Sequence, residues 1–498
     1  MIRSAGFPYT RAMSTHQALP RSPAHDRYLP SWQVDTLPAP LPYSFKNLLK
    51  IIGPGAILLA AAIGSGEWLL GPAAVIKYGP GLLVMVSVSI LLQVIINTEA
   101  VRYTLYTGEP IFTGFMRTAP GPKLWGPVYF LFAVLHQGWP GWAATSAAAL
   151  FAGIYGALPE AADAGTVRWL GYFSFAAAVL LLLFGRSVQR TLELVSWFML
   201  AFTFSFLILT NLLVVSSEQW WLTFKGFFGF GEFFLSPDWF LLAALIPYSG
   251  NGGVGNLVIS NWARDKGFGM GARVGAIASA VGGSKIKLSS VGKVFPVNEG
   301  TLKQWRTWWH YVLTDQCALW AGGCFVGMFL TCNLTAGTTP RGTDLQGLGV
   351  GAYQAHYLAQ TYGPFLWHLT LLNGFWILFK TQLAVMDSMC RLTTDVLWTA
   401  SPAVRRLARD SVSKIYYTLL GSFAVWGCIA LQLAQPLTLI KLGAVNAGFI
   451  SAFSASHLLI VNRRLLPEPL RPPRWRQVGL LLCTLFYGFF IVQWLFRL

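Results

Sequence analysis

The sequence predicts an all-α integral membrane protein of about eleven transmembrane helices. They are read as two five-helix halves of inverted topology, the first helix of each half broken, with one helix added at the end. Three observations carry that prediction. Only 11% of the 498 residues are charged, 54% are hydrophobic and the mean hydropathy is +0.53, whereas an ordinary soluble domain is about 25% charged. Apolar stretches of about the 20 residues needed to span a bilayer recur along the chain. Two of them, in corresponding places, are interrupted by glycine, serine, proline and asparagine. So little charge cannot coat a soluble chain of this length, and intrinsic disorder needs low hydrophobicity with high net charge. A membrane β-barrel would show segments of about ten residues with alternating polarity, a pattern this sequence lacks.

In order, the apolar stretches fall at 53–76, 80–101, 124–154, 168–185, 189–216, 239–262, 308–333, 365–398, 415–433, 436–460 and 477–496. The third and eighth exceed bilayer length and are expected to tilt or to continue as helix past the membrane. Residues 1–45, rich in Pro, Ser and Arg with no apolar core or cleavage signal, read as a flexible cytoplasmic tail rather than a signal peptide. The membrane domain, 46–498, then divides into a first repeat at about 49–216, a second at about 239–460 and an extra helix at about 477–496.

The net charge of +17 admits two explanations: a basic face for nucleic acid, or basic loops on the cytoplasmic side of a multispanning protein. Placement decides between them. Of the 36 Lys and Arg residues, 28 fall in the tail and in alternate connections, among them Arg3, Arg11, Arg21, Arg27, Arg102, Arg117, Arg186, Arg264, Lys285, Lys287, Arg405 and Arg463. Five fall in the opposite connections, and Lys380, Arg391 and Lys441 lie inside spans. The N-terminus is therefore expected in the cytoplasm and the C-terminus outside, in a multi-pass protein of the cell membrane. Its surroundings are the lipid bilayer, and no nucleic acid is expected. The six cysteines form no C-x-x-C and lie mostly in apolar spans, which favours buried small side chains over a disulfide framework or a thiolate metal site.

Two spans are not plain helices. The first reads Ile63-Gly64-Ser65-Gly66-Glu67 and the sixth Pro247-Tyr248-Ser249-Gly250-Asn251-Gly252-Gly253-Val254-Gly255-Asn256. Pro247 removes a helix donor, and each glycine gives up about 1 kcal/mol of helix propensity. Small residues also let helices pack closely, a reading that stands beside the other for the Gly64–Gly66 pair alone. Matched interruptions in two successive halves point instead to a transporter built from inverted repeats with its site at mid-membrane. Unwound backbone there offers carbonyls to a cation and half-helix N-termini to an anion.

The stretch Gly53-Pro54-Gly55 through Ile63-Gly64-Ser65-Gly66-Glu67 to Lys77-Tyr78-Gly79 resembles the first helix of the Nramp (natural resistance-associated macrophage protein) metal transporters. Val445-Asn446-Ala447-Gly448-Phe449 to Val461-Asn462-Arg463-Arg464-Leu465-Leu466 resembles their tenth helix and its cytoplasmic end. The resemblance covers most of 45–498. It implies a leucine-transporter-like inverted repeat (five plus five) and secondary transport, typically of a divalent metal with protons. The departures are specific. Where the family has Asp-Pro-Gly-Asn, this chain has Gly64-Ser65-Gly66-Glu67, so the Asp is gone and a carboxylate stands in the place of the Asn. The family's Met-Pro-His falls on Gly253-Val254-Gly255, removing both sulfur and imidazole, while the tenth-helix Gln carries onto Asn446. The family's acidic residues of the third helix have no counterpart in His136-Gln137-Gly138-Trp139-Pro140-Gly141-Trp142.

The resemblance thus implies metal ligation by Glu67 and Asn446. A site of oxygen donors without thioether favours hard ions such as Mg²⁺. The substrate-binding set expected is Gly64, Ser65, Gly66, Glu67, Ser249, Gly250, Asn251, Gly252, Gly253, Asn256 and Asn446, for a small ion or small molecule. An organic anion or metal–ligand complex is the alternative cargo, motivated by the backbone N–H groups of the breaks and by Lys380.

Ionisable groups inside a membrane are costly and functional by default. Glu67 is either a ligand or a protonated group stabilising the unwound segment. Lys380 and Asp387, two turns apart on one helix face, either line the pathway or form an internal ion pair. Arg391 and Asp395 read as a solvated interfacial pair, as do Glu99 with Arg102 and Glu193 with Arg190. His136 is either a proton carrier or a neutral core residue. Proton coupling thus rests on His136, Lys380 and Asp387. No cofactor is expected, and no P-loop, H-E-x-x-H or G-x-S-x-G supports ATP-driven transport or an enzyme.

Overall fold

The computed structural model of the protein describes residues 28–183, 188–231, 238–277, 288–343, 345 and 352–497. In a bilayer a spanning backbone has only itself to hydrogen-bond, so the apolar stretches are helices. Among the described residues, nine helices are long and apolar enough to cross a membrane. Numbered in chain order they are α1 (Pro54–Tyr78), α2 (Pro80–Thr107), α4 (Ala161–Leu183), α5 (Leu192–Val214), α7 (Glu299–Thr338), α8 (Phe365–Ala400), α9 (Val412–Ala430), α10 (Pro436–Leu465) and α11 (Arg474–Leu495). The other two spans are split. They are α3 (Pro122–Gln137 and Gly141–Tyr155) and α6 (Trp239–Tyr248, then Gly253–Leu257 and Ile259–Lys266). Several spans start at proline, where the missing N–H would be unpaired anyway.

Spans α1–α5 and α6–α10 form the two successive halves, with α11 packed on α10 and α2. Their burial is unequal. Nearly all of α1 is enclosed by protein and α8 is mostly so, whereas α4, α9 and α11 leave most of their surface outward. The interior of the bundle is therefore built around α1, α6 and α8, the helices that carry the interruptions and the buried charges.

Two spans differ from the sequence expectation. The third was expected to be continuous and is broken at Gly138-Trp139-Pro140, because Pro140 has no N–H to continue the helix and restrains the residue before it. The chain resumes at Gly141, where a Cβ would come within 2.6 Å of the Ile440 side chain and 2.9 Å of its backbone nitrogen, so the break sits directly against α10. The seventh begins at Glu299 rather than 308. Asn298 caps it, accepting from Thr301 N while its own N–H donates to the Thr301 hydroxyl. The added turns carry Trp305, which joins Trp308 and Trp309 on the same helix.

The segment before α1 was expected to hang free. From Tyr28 onward it is fastened instead. Gln33–Val34 pair in parallel with Lys293–Val294, Trp308 Nε1 donates to the Pro38 carbonyl (2.9 Å), and Tyr311 donates to the Pro42 carbonyl (3.0 Å). Residues 1–27, with Arg3, Arg11, Arg21 and Arg27, lie outside the described residues, as do Arg186, Lys285 and Lys287. The fastening converges on Glu109, just past the end of α2. Its carboxylate accepts from Arg117 (2.6 and 2.9 Å), Tyr103 (2.6 Å), Trp32 Nε1 (3.1 Å) and Gly292 N (2.8 Å).

Burial alone would push the Glu109 carboxyl up, but Arg117 and the other donors outweigh it and hold it below the ordinary glutamate value of 4.5. A carboxyl depressed in the folded state contributes stability that is present above its unfolded value and is lost as pH falls through the folded one. The purified protein is therefore expected to lose melting temperature as pH drops below about 4.5, with Glu109→Gln flattening that slope. Melting curves against pH for both proteins check this, and parallel acid profiles would refute it.

Candidate functional site

The breaks of α1 and α6 touch through their backbones. Residues 63 and 64 leave the α-helical path, and Gly66–Leu70 continue as a π-helical turn, a form frequent at functional sites. Gly66 faces the Tyr248 carbonyl so closely that any Cβ would overlap it. Opposite, Gly252 and Gly253 take φ of +60° and +47° to reverse the chain into the second part of α6, a conformation that side chains with a Cβ rarely adopt. A Cβ on Gly253 would come within 2.9 Å of both His136 Nδ1 and the Ala447 backbone. The interruptions in α1, α3 and α6 therefore meet at one place, against α8 and α10.

A split helix exposes backbone groups that must find partners. Gln93 of α2, fully buried, supplies them. Its Oε1 accepts from Asn251 N (3.0 Å), Gly252 N (3.1 Å) and Asn256 Nδ2 (2.9 Å), while its Nε2 donates to the Pro247 carbonyl (3.1 Å) and Ser89 Oγ (3.1 Å). Ser451 of α10 accepts from Gly253 N at 2.7 Å. One amide thus joins the end of the first half of α6 to the start of the second. The sequence reading passed over Gln93, although an amide in the middle of a strongly apolar stretch is itself a signal that something nearby needs two kinds of hydrogen bond.

Between the breaks lies a cavity of about 20 Å³, enough for one water or bare ion. Its polar walls are Ser65, His136, Gln137, Tyr248, Asn251 and Thr381, with Trp142 beside them. Several of these groups hold one another. Trp142 Nε1 donates to Ser65 Oγ (3.2 Å), Gln137 exchanges hydrogen bonds with Ser388 (2.8 and 3.0 Å), and Trp320 Nε1 reaches Asn251 Oδ1 at 3.4 Å. Among the described residues, two wall groups keep a polar atom without a hydrogen bond: Tyr248 Oη and His136 Nδ1, whose rings lie 5.7 Å apart.

Of the residues singled out from sequence, Ser65, Gly250, Asn251 and His136 line this cavity, and Gly64, Gly66, Gly252 and Gly253 shape its backbone. Ser249 Oγ donates to the Ile246 carbonyl (2.7 Å), and Asn256 bonds Gln93 but keeps a free Oδ1. Glu67 and Asn446, expected to act together, each bond within their own helix. Glu67 accepts from Gly64 N (3.3 Å) and lies beside Gly327 of α7, with Oε1 unused. The Lys380 ammonium is near enough for its charge to act on Glu67, but it makes no hydrogen bond among the described residues. Asn446 Nδ2 donates to Leu442 of its own helix (2.8 Å). Among the described residues no three His, Cys, Asp or Glu side chains converge as a metal-holding group.

Asp387 does not pair with Lys380. Its two oxygens accept from Arg391 (2.8 and 2.9 Å), Tyr416 (2.7 Å) and Trp262 (3.0 Å). Arg391 also bonds Asp265, which pairs with Arg264 (2.7 Å), and Arg264 reaches Asp395 (2.7 Å). The pair expected between Arg391 and Asp395 at a solvated interface is thus replaced by a buried chain of five charges, because α6 folds its basic end against α8. Glu99 does bond Arg102 (2.7 Å) and adds Arg476 (3.1 Å), and Glu193 is held by Lys266 (2.7 and 2.8 Å) more closely than by Arg190 (3.4 Å).

No family model matches the sequence, and no curated protein matches it. Among solved structures the fold is similar to that of a manganese transporter from Eremococcus coleocola. A histidine-to-alanine mutant of that transporter aligns with a TM-score of 0.62 at 14% identity, covering 94% of this chain and 89% of that one. The same transporter in complex with an aromatic bis-isothiourea substituted compound gives 0.62 at 14% identity, over 93% and 91%. Likeness at this identity shows the fold alone, an all-α, multi-pass membrane fold.

Gln93→Leu removes the bonds from Gln93 to both parts of α6 and leaves the Asn251 and Gly252 N–H groups without that acceptor, at about 1–3 kcal/mol each. The expected result is a melting temperature lowered by many degrees in the purified protein, and a change within error would show that the break is held by other means. Asp387→Ala removes two of the hydrogen bonds of the buried Arg391 and leaves it Asp265, and is expected to cost up to about 3–5 kcal/mol. The double variant Asp387→Leu with Arg391→Met is expected to recover part of that loss in the same assay.

Proposed function

We propose that the protein is a secondary transporter of a small cation, with a hard divalent metal ion such as Mg²⁺ as the expected cargo, and that it is a divergent relative of the Nramp transporters. The observation that supports this most directly is how the hydrogen-bonding groups at the breaks are divided. The N–H groups at 251–253, which would serve an anion at a half-helix N-terminus, are taken by Gln93 Oε1 and Ser451 Oγ. Among the described residues, four unused buried atoms at the breaks can give an electron pair, Tyr248 Oη, Asn256 Oδ1, Glu67 Oε1 and His136 Nδ1, against one unused ammonium, Lys380 Nζ. A cation is the species that such a set attracts. The small cavity favours an ion over a carboxylate-bearing molecule, and the fold is shared with a manganese transporter.

In this reading Glu67 supplies negative charge at the α1 break, and hydroxyl, amide and imidazole groups replace water around the ion. The glycine-rich breaks are the pivots of alternating access. The Asp387–Arg391–Asp265–Arg264–Asp395 chain and the Asp315 carboxylate, which accepts from Gly53 N (3.3 Å) and Gly55 N (2.8 Å) at the start of α1, close the basic side. That side is assigned to the cytoplasm, with the C-terminus outside.

Uptake of Mg²⁺ and Mn²⁺ into proteoliposomes tests the proposal. The wild-type protein is expected to transport, with Glu67→Ala and Tyr248→Phe slowing the initial rate about tenfold or more, the loss of roughly one good ligand interaction. Wild-type flux in Glu67→Ala would remove that residue from the site. Carboxylate uptake with no metal flux would overturn the cation reading.

A further inference from the structure

A groove of about 670 Å³ lies on the membrane-facing side of the protein, between the start of α3, α10 and α11. Along α10 it runs from Phe449 to Arg464, about 22 Å at 1.5 Å per residue, or most of a hydrocarbon core of about 30 Å. Its walls are apolar, and its floor offers no free hydroxyl at Ser456 and Thr484, since these bond each other (2.8 Å) and Thr484 also donates to the Ala452 carbonyl (2.9 Å). The trough stays open because α11 carries Gly488 there, where a Cβ would meet nothing within 4 Å. Among the described residues no carboxylate lines it, and at one end stands the exposed guanidinium of Arg464, with the exposed Arg463 next to it in sequence.

We propose that this groove binds one anionic phospholipid, an acyl chain lying in the trough toward Phe449 and the phosphate on Arg464. Length, apolar lining and a single charged end match an amphiphile, and the charge selects its sign. A zwitterionic headgroup would bring its ammonium toward Arg463 and Arg464. The site is on the back of α10, whose front holds Gly253 through Ser451.

Native mass spectrometry of the full chain with phosphatidylglycerol and phosphatidylcholine of identical acyl chains tests this. Preferential retention of one phosphatidylglycerol is expected, about fivefold over phosphatidylcholine, the effect of one Arg near a membrane surface. Arg464→Ala should bring the two lipids to parity. Gly488→Phe, placed where space is open, should expel both while the protein melts as wild type. Equal retention of the two lipids by the wild-type protein overturns the headgroup assignment. Retention by Gly488→Phe overturns the groove, and so does a change of oligomeric state in that variant without lipid loss, which would mark the face as an interface between copies.

Discussion

The interior of a membrane protein has no water to spare for an interrupted helix, so each break must be completed by protein. Gln93 answers that constraint for α6. A carboxamide is one of the few side chains that can accept from a helix start and donate to a helix end at once, and at Gln93 both capacities are used within 3.1 Å. The geometry of the centre follows from it. With the N–H groups of 251–253 occupied, the unused polar atoms of the cavity wall, among the described residues, are Tyr248 Oη and His136 Nδ1.

The same rule of completion operates further out. Asp315 of α7 closes the N-terminus of α1, and its own carboxylate is steadied by Gln316, which in turn takes a bond from Asn97 of α2. Glu99 binds Asn462 of α10 and Arg476 of α11, while the Arg102 and Arg476 guanidinium groups lie over Trp309. Each buried charge in these clusters is matched, and each cluster joins helices distant in sequence. Lys380 stands apart, a buried ammonium with no hydrogen bond among the described residues, beside the one carboxylate of the α1 break.

Much of the fold was legible in the sequence because hydrophobic length is a direct imprint of bilayer thickness, and because glycine and proline runs announce where a helix cannot continue. Charge asymmetry adds an orientation that the structure by itself does not test. The break in α3 was missed since Gly138-Trp139-Pro140 is short and apolar, and only Pro140 signals it. The partners of Asp387 were misread for a different reason. Periodicity along α8 reveals which residues share a face, but not that Trp262, Arg264 and Asp265 of another helix arrive at that face. Gln93 was overlooked because the glycines of α6 drew attention to the broken element, and not to the neighbour that completes it.

The contact of Gly66 with the Tyr248 carbonyl leaves no side chain between the two interrupted helices. Where the main chains of two broken helices bear on one another, neither can approach further and no side chain can enter. Glycine is what permits that contact at position 66, and even one added methyl group would act as a wedge between the two helices.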